Sequence, residues 1–157
     1  MTRSEAAAIF ARLIAEEKGE TVSGKATFSD VKSNDWCYKY IGYLEKYDII
    51  KGYSDGTFRP DDAVTRAEFA SMAIKALGQE SANVTQEIHF GDITPEFWAY
   101  NIIQKAVYFD LIPDAKNESY RPFDSVTRAE AINIATTSLS YIETGRGFMT
   151  LSTLEKM

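Results

Sequence analysis

Gly52-Tyr53-Ser54-Asp55-Gly56-Thr57-Phe58-Arg59-Pro60, followed by Val64-Thr65-Arg66-Ala67-Glu68, is the stretch that decides how this chain folds. Two glycines around Ser-Asp mark a tight turn, and Pro60 ends any regular element. Thr57-Phe58-Arg59 has room for only a short strand. Thr65 and Glu68 then have the spacing of a capping box, in which Thr caps the amide three residues on and Glu reaches back to the Thr amide. The apolar positions Phe69, Met72, Ala73, Ala76 and Leu77 continue as one helical face, and Gly78 stops it. The stretch therefore predicts a turn, a break and a capped helix.

The pattern recurs along the chain. Adding 62 to the numbers of Phe28, Asp30, Trp36, Arg59, Pro60 and Val64 to Glu68 gives the same residue types at Phe90, Asp92, Trp98, Arg121, Pro122 and Val126 to Glu130. Ser29 and Val31 become Gly91 and Ile93. Thr2-Arg3-Ser4-Glu5 lies 63 residues before Thr65-Arg66-Ala67-Glu68, so the sequence opens inside an earlier copy. The units read as residues 1–20 (the second half of a repeat), 28–78 and 90–141 (two full repeats), and 142–157 (a tail). Repeats usually share one core and carry function at their junctions.

Upstream of the turn, each full repeat predicts a further helix. The first runs over about 36–50, with Trp36, Tyr40, Ile41, Leu44 and Tyr47 on one face; Trp98, Ile102, Ile103, Ala106 and Phe109 match in the copy. Ser33-Asn34-Asp35 and Thr94-Pro95-Glu96 supply the expected helix starts. The fold class is mostly α: helix-loop-helix repeats around three equivalent helices with approximate threefold symmetry. The tail is either disordered or a cover for surface left open by the incomplete first repeat, and that same surface could receive a second copy of the chain.

Composition narrows the function. The 157 residues are 45% apolar, enough for a core, with a net charge of −6 and a pI near 4.9. No basic run tracks phosphates, so nucleic acid is not a partner, and no segment is apolar and long enough to span a membrane. A chain that opens mid-repeat reads as a piece of a longer protein, so the missing leader leaves the parent's location open. One cysteine, Cys37, and one histidine, His89, leave no disulfide, no thiol metal cluster and no nucleophile pair of usual form. The acidic run 55–62 lacks EF-hand spacing. Neither a cofactor, a metal nor a catalytic centre is expected.

The motif arginines Arg3, Arg66 and Arg128 are not needed for capping, and a helix dipole opposes a cation at an N-terminus. Either each pairs with a neighbouring carboxylate or packs on Trp, or helix amides and guanidinium together seat an anion. Trp36 and Trp98 either fill core space or stack on a sugar ring. Tyr53, Thr57 and Phe58 could line the same groove.

Phe-x-Asp-Val, Trp, Gly-Tyr-x-Asp-Gly-Thr-Phe-x-Pro and Val-Thr-Arg-Ala-Glu, in that order, resemble the S-layer homology (SLH) repeat over about residues 1–141. The resemblance implies a pseudo-trimeric helical spindle that holds a secreted bacterial protein at the cell surface, non-covalently, through pyruvylated secondary cell wall polysaccharide. It implies ligand contacts from Arg3, Arg66, Arg128 and the loop residues Gly52, Tyr53, Asp55, Gly56, Thr57 and Phe58, with Arg3 or Arg66 facing that loop. A pyruvyl ketal carries a carboxylate, which suits an arginine. In the later loop Asp114 and Glu118 replace Gly52 and Gly56, so that groove is expected to bind poorly or to be structural.

Overall fold

The computed structural model describes residues 1–85, 87–112 and 119–143. Five helices follow in order: α1 (Arg3–Lys18), α2 (Tyr38–Lys46), α3 (Arg66–Ala76), α4 (Tyr100–Tyr108) and α5 (Arg128–Glu143). The described residues contain no β-strand, only two isolated bridges, Thr2 with Ala63 and Thr65 with Ser125.

The motif helices begin where their caps place them. Thr2 and Thr65 each accept from the amide of the glutamate three residues on, and that glutamate accepts the threonine amide in return. Thr127 and Glu130 exchange the same two bonds, at 3.1 and 2.7 Å. Gly19, in the left-handed conformation, closes α1.

These three helices pack against one another in every pair, while α2 lies on α1 and α4 on α3. Each first helix of a repeat thus leans on the motif helix of the repeat before it. Repeat register explains how three helices meet at one axis. Ala6, Phe69 and Ala131 are equivalent, and so are Phe10, Ala73 and Ala135 one turn on. Each layer holds one phenylalanine and two alanines, and Phe10 and Phe69 are in ring contact at 4.9 Å. Three large side chains would overfill such a layer and three alanines would leave a void.

The first helices of the repeats are shorter than the periodicity suggests. Residues 33–35 do not cap α2, because the Asp35 carboxylate accepts from the Lys32 amide at 2.7 Å and closes a separate turn. Thr94 likewise closes a turn, its carbonyl accepting from the Phe97 amide at 2.9 Å. The helices start at Tyr38 and Tyr100 with no side-chain cap. Asp48 and Asp110, at φ 56° and 55°, end them at equivalent points by turning left-handed. Trp36 and Trp98 therefore precede the helices and do not fill the core: they are 57% and 58% exposed.

The segments that lead into α2 and α4 cross these helices, at Lys25 and Ile88, by two different means. A Cβ on Gly42 would lie 2.4 Å from the Lys25 backbone, so only glycine fits under the first crossing. Its counterpart Gln104 is buried and instead exchanges two hydrogen bonds with the Ile88 backbone, at 2.8 and 2.7 Å. Cys37 is buried, and burial pushes its thiol above the ordinary value, as suits a core residue.

Candidate functional site

The turn at 52–58 is built by side chains at both ends. Asp30, from the Phe-x-Asp motif, accepts the amides of Phe58 and Arg59 at 2.8 Å each, so these amides are not available to a strand partner. Arg59 is left-handed at φ 58°, which also rules out the short strand expected at 57–59. Asp92 repeats the clamp on Tyr120 and Arg121, at 2.8 and 2.6 Å, and adds the Ser119 hydroxyl. Burial works to raise the Asp92 carboxyl, but these donors outweigh it and hold it below the ordinary range. Gly56, at φ 79°, makes the turn; Gly52 is required for closeness, since a Cβ there would meet the Phe28 ring at 2.3 Å.

Arg3 is the arginine that faces this loop. Its Nε donates to the Phe58 carbonyl at 2.8 Å, and Nη1 donates to the Glu68 carboxylate. Its guanidinium lies 4.9 Å from the Tyr53 ring centre and 4.6 Å from that of Phe58. The second junction repeats the pattern: Arg66 donates to the Tyr120 carbonyl at 2.9 Å and to Glu130. At the third, Arg128 reaches Glu5 at 3.7 Å, with its side chain 78% exposed. The three arginines and three motif glutamates thus form a cycle, two links buried and one open.

The helix amides are not free at the first two junctions. Arg3 and Ser4 donate to the carbonyls of Asp62 and Pro60, both at 2.9 Å. Arg66 and Ala67 donate to Asp124 and Pro122, at 2.9 and 3.1 Å. The expectation that open amides and a guanidinium together seat an anion fails there, because the turn of the following repeat occupies the amides.

A cleft of about 290 Å³ opens beside Arg3. One wall is the loop, with Ile49, Ile50, Lys51, Gly52 and Tyr53; the other is α3, with Glu68, Ser71, Met72 and Lys75; Trp98 closes the rim. Three consecutive repeats contribute to it. Of the residues expected from sequence, Arg3, Gly52, Tyr53 and Trp98 line this cleft. Phe58 is fully buried behind Arg3. Asp55 holds the turn: the Thr57 hydroxyl at 2.6 Å and amide at 3.0 Å, then Arg59 at 3.0 Å, push its carboxyl down to about 2. Gly56 and Thr57 belong to the same turn, away from the lining. Arg66 and Arg128 mark the other junctions. Trp36 stands beside Tyr40, ring centres 6.1 Å apart, and Tyr40 bonds Arg12 of α1. The loop positions 113–118, including Asp114 and Glu118, lie outside the described residues, as does the tail from 144.

Lys51, Ser71 and Lys75 carry no motif signal. The only cue in sequence was that Lys75 lies seven residues, two helical turns, beyond Glu68 on one face of α3. Among the described residues no group of three or more His, Cys, Asp or Glu side chains could hold a metal ion, and no helix is long and apolar enough to cross a membrane.

The profile of the S-layer homology domain matches residues 27–70 and 89–132, more than half of the chain. The chain belongs to the SLH family. Its similarity to curated proteins extends through most of its length. A cellulosome-anchoring protein of Acetivibrio thermocellus is 36% identical over 143 residues, 88% of this chain and 32% of that protein. An endoglucanase of Bacillus sp. is 32% identical over 135 residues, 86% of this chain and 14% of that one. A surface layer protein of Brevibacillus choshinensis is 28% identical over 120 residues, 75% of this chain and 11% of that one. The SLH chain spans a third or less of these relatives, and the enzymatic name belongs to other regions of its bearer.

Proposed function

We propose that this SLH chain anchors a larger bacterial surface protein outside the cell by holding an acidic, pyruvyl-bearing sugar of the secondary cell wall polysaccharide in the cleft beside Arg3. The observation that carries the reading is the composition of that cleft. An indole 58% exposed, a tyrosine ring at the loop and two lysines converge on one opening. Aromatic faces take the apolar side of a pyranose and the ammonium groups take an acid. The anchoring and surface-layer names of two relatives agree with the anchoring part of it. The chemistry is binding, with no catalytic step assigned to these residues.

Trp98→Ala tests the reading against Trp36→Ala, which removes an equally exposed indole at a different junction. Isothermal titration with a pyruvylated wall-polysaccharide fragment is expected to show at least a tenfold loss for Trp98→Ala and little change for Trp36→Ala. Equal losses, or none, would remove the cleft as the site.

A second reading has its own observation. Phe97, Trp98 and Phe123 form an aromatic strip, with ring centres 5.7 and 5.5 Å apart, and Phe123 is 74% exposed. The counterparts of Phe97 and Phe123, Asp35 and Asp61, are polar, so the strip is specific to the later repeat. Such a patch suits a protein partner or self-assembly. Folded wild type that ignores the fragment but self-associates in sedimentation velocity would favour it.

A further inference from the structure

We infer that Lys75, rather than a motif arginine, is the residue that reads the negative charge of the ligand, and that Arg3 is a positioning residue for the loop. The inference rests on the glycan-binding reading above. Arg3 is 3% exposed, bonded to Glu68 and to the Phe58 carbonyl, and stacked against Tyr53 and Phe58. Its charge is already balanced by Glu68, whose side chain is 21% exposed and would oppose an incoming acid.

Lys75 differs in each respect. Its Nζ donates to the neutral carbonyl of Asp48 at 2.9 Å, and among the described residues it has no carboxylate partner. An ammonium has three donors, so at least one remains for a ligand. Lys75 lies about 10 Å along α3 from Glu68, at 1.5 Å per residue, which is close to a Debye length at physiological salt. That separation, and the pairing of Glu68 with Arg3, weaken the repulsion an acid held at Lys75 would meet from the motif carboxylate. Lys51 adds a weaker charge from the loop side, 72% exposed and 4.0 Å from the Asp48 carboxylate.

The second junction supplies the contrast. It keeps the Arg66–Glu130 pair, but the counterparts of Lys51 and Lys75 are Pro113 and Thr137. The arginine–glutamate pair therefore accompanies assembly at both junctions, while the lysines are found at only one.

The test compares a pyruvylated wall-polysaccharide fragment as the free acid and as its methyl ester, by calorimetry on the full chain. Wild type is expected to prefer the acid. Lys75→Gln should weaken the acid roughly fivefold, the worth of one half-exposed ion pair, and leave the ester unchanged. Lys75→Arg should restore the preference. Arg3→Gln should lower the urea midpoint yet, at a temperature where circular dichroism shows it folded, keep the acid-over-ester ratio. A ratio unchanged in Lys75→Gln, or lost in folded Arg3→Gln, overturns the inference. Wild type that binds acid and ester equally overturns it and leaves the glycan reading standing. Wild type that binds neither removes both.

Discussion

Replacing each motif glutamate by glutamine probes how much the arginine–glutamate cycle holds the repeats together. Glutamine keeps an acceptor for the threonine amide, so the capping box survives while the ion pair is lost. The same substitution enters three settings. Arg3 and Arg66 have side chains 4% and 8% exposed, each paired with a glutamate 21% exposed. Arg128 and Glu5 are 78% and 41% exposed. Stranding a fully buried charge costs about 3–5 kcal/mol. Each buried arginine keeps its bond to a loop carbonyl and each glutamate is partly wet, so about 2 kcal/mol is expected for Glu68→Gln and Glu130→Gln. For Glu5→Gln the expected cost is under about 0.5 kcal/mol, as for an exposed pair. In a domain of this size 2 kcal/mol lowers Tm by about 4–8 °C. Urea unfolding followed by fluorescence of Trp36 and Trp98 measures all three. If Glu5→Gln costs as much as Glu68→Gln, burial is not what gives the pair its weight. If none of them matters, the arginines are held by their carbonyl and ring contacts alone.

Phe69→Ala should cost about 3–4 kcal/mol by emptying its layer, and adding Ala6→Phe should recover part of the loss in the urea midpoint, because the axis needs one ring per layer. Asp110→Gly should stabilise by about 0.5–1 kcal/mol, seen as a higher Tm, since Asp110 is left-handed at φ 55°. Acid should destabilise the fold in a defined direction. The Thr2 amide holds Glu5 below the usual carboxylate range, and Asp92 is depressed by its own donors. Both groups release protons more readily folded than unfolded, so their contribution is present above about pH 4 and is lost as pH falls through the folded values. Asp92→Asn should flatten the fall of the urea midpoint between pH 6 and 3.

Much of this protein was legible in one sequence. Capping boxes, glycine stops and apolar periods are local, set by neighbours within a turn, and they placed α1, α3 and α5 correctly. The repeat register gave the central trio, since equivalent apolar faces must meet. The ends of α2 and α4 were less legible: Asp35 could serve a turn or a helix equally well, and that choice depends on the Lys32 amide. The partner of each motif arginine was also hidden. Arg3 meets Glu68, 65 positions away, because α1 packs on α3 and the loop of one repeat lies over the helix start of the previous one. The same packing filled the helix amides and brought Lys75 and Trp98, from different repeats, to one cleft. Chemistry carried by residue type and spacing is written along the chain; chemistry carried by which charges stay unpaired exists only once the repeats are folded against each other.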